Sequence, residues 1–211
     1  MIQNPADRLF VESLQAVGYQ GDTEAVLQAL WQMHGVPLRY YHTWEDHIRP
    51  GMEFLAKHRH AISNFHEVVV AWGFHDCICI AGAKGNEQAS SEYSRKVLAA
   101  GGVPMETHRR MDALIMATTH STDLTYEPLA AQAIADLDLM ALAEVPFTFR
   151  ENTTKLRKEA SGIDDFTFGN GVRAFFQSLL KRHSIFYTLL FRNTFEAQAQ
   201  ENLKSWVVPS L

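Results

Sequence analysis

Between Ile62 and His75 the chain runs through Val68-Val69-Val70-Ala71-Trp72, an apolar stretch with no polar face at helical spacing. A helix that is apolar on all sides has to be enclosed by other elements. The rest of the sequence must therefore supply a surround, and 211 residues suffice for one domain built around such a centre.

The surround reads as helices separated by short breakers. Asn4-Pro5 has the form of an N-cap followed by proline at the first helical position, and Leu9, Phe10, Leu14 and Val17 follow at helical spacing. Gly18 and Gly21 end that helix. Asp22 or Thr23 caps a second helix, which carries Val26, Leu27, Leu30 and Trp31. After the Gly35-Val36-Pro37 break, a third helix is predicted from Leu38 to His58 with a bend at Pro50-Gly51. Residues 77–87 read as a loop. Further helices are predicted over 88–100, 106–118, 128–142, 147–159 and 170–206, the last interrupted near His183-Ser184. Gly169-Asn170-Gly171 reads as a helix break. No train of alternating segments supports a sheet, so the expected class is an all-α bundle forming a single domain.

Charge and cysteine usage narrow the function classes. A net charge of -5 provides no basic footprint for nucleic acid or anionic membrane. An anionic substrate stays compatible, because a metal can supply positive charge locally. The only cysteines, Cys77 and Cys79, are too close for an easy disulfide, which suits a reduced, cytoplasmic setting. The start MIQNPADRLF lacks a cationic segment followed by an apolar run, so no secretory leader is expected. No stretch approaches the roughly 20 apolar residues of a membrane span.

Four segments combine imidazole or carboxylate with a helical context: Arg39-Tyr40-Tyr41-His42 with His47, Phe74-His75-Asp76, Ala117-Thr118-Thr119-His120, and Asp136-Leu137-Asp138. Neighbours on a helix differ by about 100°, so His75 and Asp76 can approach one ion from different directions. Imidazole plus carboxylate without thiolate favours Mn, Mg, Fe, Co or Zn in an open site over structural zinc. A spacing of five sets His42 and His47 about 140° apart on one helix. Either the helix starts between them, or only one is a ligand. Asp136 and Asp138 likewise point apart, leaving one for the site and the other as a surface charge. Arg39 either orients phosphate or forms a surface salt bridge. Arg157 and Glu159 read as a structural pair. Gly82-Ala83-Lys84-Gly85 lacks the full phosphate-loop pattern.

Taken together, the order His…His-Asp…Asp resembles the HD-domain superfamily of metal-dependent phosphohydrolases. More narrowly, it resembles the small bacterial proteins of that superfamily. The resemblance rests on Pro37 to His42 with His47-Ile48, Trp72 to Asp76, Asn86 to Ser90, Ile115 to His120, Asp136 to Leu139 and Leu156 to Glu159. The tail segments Arg182 to Tyr187 and Glu196 to Leu203 extend it.

The resemblance implies an all-helical HD-type domain and a divalent metal, with room for a second. The implied ligands are His47, His75, Asp76 and Asp138. His42 would protonate the leaving group, as the first histidine does in the similar cyclic-nucleotide phosphodiesterase pattern. Asp76 would also steer water. His120 and Glu87 would line the pocket or orient water, and Arg39 would meet the phosphate. The implied partner is a small phosphorylated substrate, such as a nucleotide, and a homodimer stays open. Two departures stand out. The histidine spacing is five where the family has four, and Cys77-Ile78-Cys79 and Gly85 replace a tyrosine and an aspartate after the doublet. A catalytically silent HD module that binds a nucleotide or partner, and an HD-type di-iron oxygenase, are the competing readings.

Overall fold

The apolar run forms α4 (Phe65–Phe74), in which every residue from Val68 to Phe74 is buried. The computed structural model, which describes residues 2–207, surrounds α4 with α1 (Pro5–Ala16), α3 (Arg49–Lys57), α5 (Asn86–Ala100), α6 (Met105–Ala117) and α7 (Leu129–Asp138). Enclosure on every flank is the physical reason α4 can do without a polar face. At Gly73 the approach is so close that a Cβ would collide with the Phe10 ring of α1. The remaining helices are α2 (Thr23–His34), α8 (Pro146–Glu159), α9 (Asp165–Leu180) and α10 (Leu189–Val207). The described residues are all-α and contain no strand.

The helix starts obey local chemistry. The Asn4 side chain accepts the Ala6 N–H at 2.8 Å, and Asp22 accepts the Ala25 N–H at 3.0 Å. Their apolar stripes, Leu9, Phe10 and Leu14 on α1 and Val26, Leu27 and Leu30 on α2, face the core.

Three expected spans are corrected. Leu38–Thr43 is not helical. Leu38 has a left-handed backbone (φ 77°), and Thr43 caps a π-helical turn over Trp44–Ile48 that leads into α3. The Ile48 N–H reaches back five residues to the Thr43 carbonyl, and the Arg49 N–H reaches the Trp44 carbonyl. Pro50 has no N–H to give to Asp46, so the widened turn lies just before it rather than as a bend at Pro50-Gly51. The predicted 128–142 helix stops at Asp138 and continues as a 3₁₀ turn, Met140–Ala143. Gly169-Asn170-Gly171 lies inside α9 and does not break it; the interruption falls between α9 and α10, at 181–188.

Asp136 is also corrected. It is fully buried, not a surface charge, and its carboxylate accepts the Tyr187 and Thr188 N–H groups at 2.7 Å each and the Thr188 hydroxyl at 2.8 Å. It thereby ties α7 to the start of α10. Asn202 of α10 donates to the carbonyls of Leu142 and Glu144 at 2.8 and 2.7 Å, fixing the 3₁₀ turn beside the end of α7.

Nothing lies within 4 Å of a Cβ placed on Gly169 or Gly171. Glycine inside a helix carries an entropic cost relative to alanine. Gly169→Ala and Gly171→Ala should each raise stability by about 0.5–1 kcal/mol. A lower urea midpoint in either variant would show that α9 requires the glycine.

Candidate metal centre

Four side chains from three elements converge. His47 comes from the π-helical turn, His75 and Asp76 from the end of α4, and Asp138 from the end of α7, with one ligand atom from each lying within 4.8 Å of the others. His47 Nε2 is 3.2 Å from His75 Nε2 and 3.5 Å from both Asp76 Oδ2 and Asp138 Oδ1. His75 Nε2 is 3.2 Å from Asp76 Oδ2 and 3.5 Å from Asp138 Oδ1. Metal–ligand bonds of about 2.1 Å put neighbouring donors roughly 3.0–3.4 Å apart in octahedral or tetrahedral arrangements. The observed spacings match, so this group could hold a metal ion.

Each donor is held from behind. The His75 ring stacks on Trp72, and its Nδ1–H donates to the Trp72 carbonyl at 2.8 Å. That bond turns Nε2 towards the cluster, which is how histidine ligands are usually oriented. Trp72 is itself anchored by its indole N–H on the Ile48 carbonyl at 2.8 Å. Gly51 permits this, since a Cβ there would run into the Trp72 indole. The π-helical turn is pinned to α1 through Asp7, which accepts from Trp44 Nε1 at 2.8 Å and Arg49 Nη2 at 3.0 Å.

The charges answer one another. Burial disfavours ionised carboxylates, but His75 and His42 outweigh that at Asp76, holding it well below the usual range. Burial opposes ionisation at Asp138 too, and hydrogen bonds from His120, His47 and His75 hold it low. Burial alone would lower the His75 imidazole, yet Asp76 and Asp138 push it up to about 10. Without a cation, a proton on the His75 imidazole helps balance the buried Asp76 carboxylate and the half-buried Asp138 carboxylate. A divalent ion would take the place of that proton.

The other expected site residues divide. His42 sits outside the helix, because the helix starts between His42 and His47, as one of the two readings of their spacing required. Its Nε2 lies 3.9 Å from Asp76 Oδ2, and its Nδ1 is 2.6 Å from Glu159 Oε2. Burial by itself would lower this imidazole, but Asp76, Cys79 and Glu159 raise it well above its ordinary value. His120, with a left-handed backbone (φ 52°), hydrogen-bonds through Nε2 to the second oxygen of Asp138 at 2.8 Å. It therefore acts on a cluster member from outside the cluster. Arg39 forms no surface salt bridge and is turned towards main chain. Nη1 donates to the Asp76 and His42 carbonyls at 2.7 and 3.1 Å, and Nη2 to the Cys77 carbonyl at 3.0 Å. The guanidinium thus fastens the 39–42 loop to the end of α4. Glu87 lies in the first turn of α5 and hydrogen-bonds none of these side chains.

Glu159, expected as the structural partner of Arg157, is instead placed beside the cluster. It makes no pair with Arg157, which binds Asp165 at 2.7 Å. Glu159 Oε1 instead accepts the N–H groups of Tyr40, Tyr41 and His42 at 2.7, 2.7 and 2.9 Å, while Oε2 holds His42 Nδ1. The two cysteines are free, and burial pushes the Cys77 thiol up to about 11. Neither belongs to the cluster. Among the described residues no second group of this kind occurs, and no helix is long and apolar enough to cross a membrane. Comparison with known protein families, curated proteins and solved structures found no match.

Two outcomes are expected. Manganese at about 100 times its dissociation constant should stabilise the wild-type fold by about 2.7 kcal/mol, seen as a higher thermal midpoint. Asp138→Ala should abolish that rise, and an undiminished rise would place the ion elsewhere. Glu159 is held down at about 2 from 4.5; burial opposes this, but the His42 ring and the Tyr41 and His42 amides win. Its contribution is therefore complete above pH 4.5 and lost as pH falls towards 2. Glu159→Gln should lower the urea midpoint at neutral pH and flatten its decline across that window. An unchanged acid slope would contradict the assignment.

Proposed function

We propose that the chain is a metal-dependent phosphohydrolase of the HD type, using His47, His75, Asp76 and Asp138 as its metal ligands. The observation that carries this reading is His42. It is an imidazole backed by a carboxylate through Nδ1, with Nε2 free at 3.9 Å from Asp76 at the edge of a metal-ready cluster. Nitrogen and carboxylate donors without thiolate suit Mn, Mg, Fe, Co or Zn. Held by these four residues, a divalent ion would supply Lewis acidity for a phosphoryl oxygen and would lower the pKa of water towards about 7.

The protein groups then have separable tasks. His42 donates a proton from Nε2 to the departing oxygen. Glu159 keeps the imidazole aimed by holding Nδ1. Asp76 steers the attacking water, while His120 fixes the carboxylate plane of Asp138 through its 2.8 Å hydrogen bond. Arg39 preserves the relative position of His42 and Asp76 through their carbonyls rather than meeting phosphate.

In a screen of phosphate esters with added divalent metals, Asp76→Ala should abolish phosphate release without changing the helical circular dichroism. Activity retained in that variant would sink the assignment. His42→Ala should cost roughly 10²–10⁴-fold in turnover for esters of poor leaving groups. The loss should shrink for p-nitrophenyl phosphate, whose leaving oxygen needs no proton. An equal loss on both would remove His42 from proton donation. Tight binding without release under every metal would favour a silent binding module.

A further inference from the structure

The cluster is flanked by two surfaces of opposite character. On one side a depression carries Glu45, Asp46 and Glu144, and its lysine, Lys155, is engaged with Asp46 at 2.9 Å. An anionic substrate extending that way would meet carboxylates. Adjoining that depression, a cavity of about 240 Å³ opens directly from His42 and Asp138. Its walls are Leu142, Phe149, Leu156, Val172, Phe175 and Phe176, from α8, α9 and the 3₁₀ turn.

This cavity is poor in partners for a polar molecule. No lysine or arginine lines it. The Thr153 hydroxyl is committed to the Phe149 carbonyl at 2.9 Å, which leaves Asn152 and the Tyr41 hydroxyl as the free polar groups beside His42 and Asp138. A sugar placed there would give up water at several hydroxyls with few groups to replace it. An aromatic ring or alkyl chain gives up nothing polar and gains from burial.

We infer that the cavity receives the apolar body of the substrate, so that the preferred substrates are phosphate monoesters of aromatic or alkyl alcohols rather than of sugars or nucleosides. The position of the charged end rests on the phosphohydrolase reading above; the preference of the cavity is measurable by binding alone.

The experiment uses the manganese-loaded 211-residue chain and non-hydrolysable phosphonates. Calorimetry compares methyl-, propyl-, hexyl- and phenylphosphonate, and turnover compares 1-naphthyl phosphate with ribose 5-phosphate. Affinity should rise about fourfold per methylene until the cavity is filled. Phenylphosphonate should bind at least tenfold more tightly than methylphosphonate. Val172→Trp, at a half-buried wall position outside the proposed catalytic groups, should erase the gain for hexyl- and phenylphosphonate and leave methylphosphonate unchanged. Val172→Ala should keep the gain and controls for folding. A flat series in the wild type, or a Val172→Trp protein that keeps the full gain, overturns the inference. Turnover that favours ribose 5-phosphate overturns it while leaving the hydrolase reading intact. A rising series with no turnover of any ester supports the apolar subsite and removes the hydrolase reading.

Discussion

Two carboxylates, Asp76 and Asp138, are brought together with two imidazoles where the ends of the enclosed helices α4 and α7 meet the π-helical turn, and the surrounding architecture is organised around keeping them there. Carboxylates withdrawn from water are expensive unless they are paired and hydrogen-bonded. The 3.2–3.5 Å contacts from His47 and His75 provide pairing, and His120 supplies a further hydrogen bond to Asp138. Such a cluster tolerates little movement, because a small displacement would strand a buried charge. Rigid supports behind each member are the consequence. Trp72 lies under His75, Asp7 anchors the turn that carries His47, and Asp136 locks α7 against α10.

A second set of contacts governs the neighbourhood rather than the cluster. The 39–42 loop has no helical bonds of its own, so its amides need acceptors from elsewhere. Glu159 accepts three of them and the His42 ring, while Arg39 ties the same loop to the end of α4. His42 is consequently placed by two long-range devices, one on each side. Its proximity to Asp76 is a property of those devices and not of its position in the sequence. The π-helical turn contributes as well, since it begins only after Thr43 and frees His42 from any helix register shared with His47.

Much of the fold is legible in the amino-acid sequence. The α1 and α2 caps, the buried stripe of each, and the all-round burial of α4 follow from neighbouring residues and a 3.6-residue period. His47, His75, Asp76 and Asp138 stand out through a resemblance in residue order, and they do converge. Local patterns mislead where non-local partners decide. Arg39 has the look of a phosphate or surface residue, yet three carbonyls use its donors. Gly169 and Gly171 read as a break, yet α9 runs through them because its apolar face, including Phe176 and Leu179, is packed.

The sequence by itself determined the helical class, the central place of α4 and the adjacency of His75 and Asp76 at its end, because periodicity, capping and dipeptide order act over a few residues. Only the tertiary structure decided that Asp136 is buried on the Tyr187 and Thr188 amides rather than exposed, and that Glu159 is the partner of a histidine 117 residues earlier. Those outcomes depend on where helix ends meet in space. Buried hydrogen-bond donors and carboxylates must find partners there, and chain order does not state which ones are near.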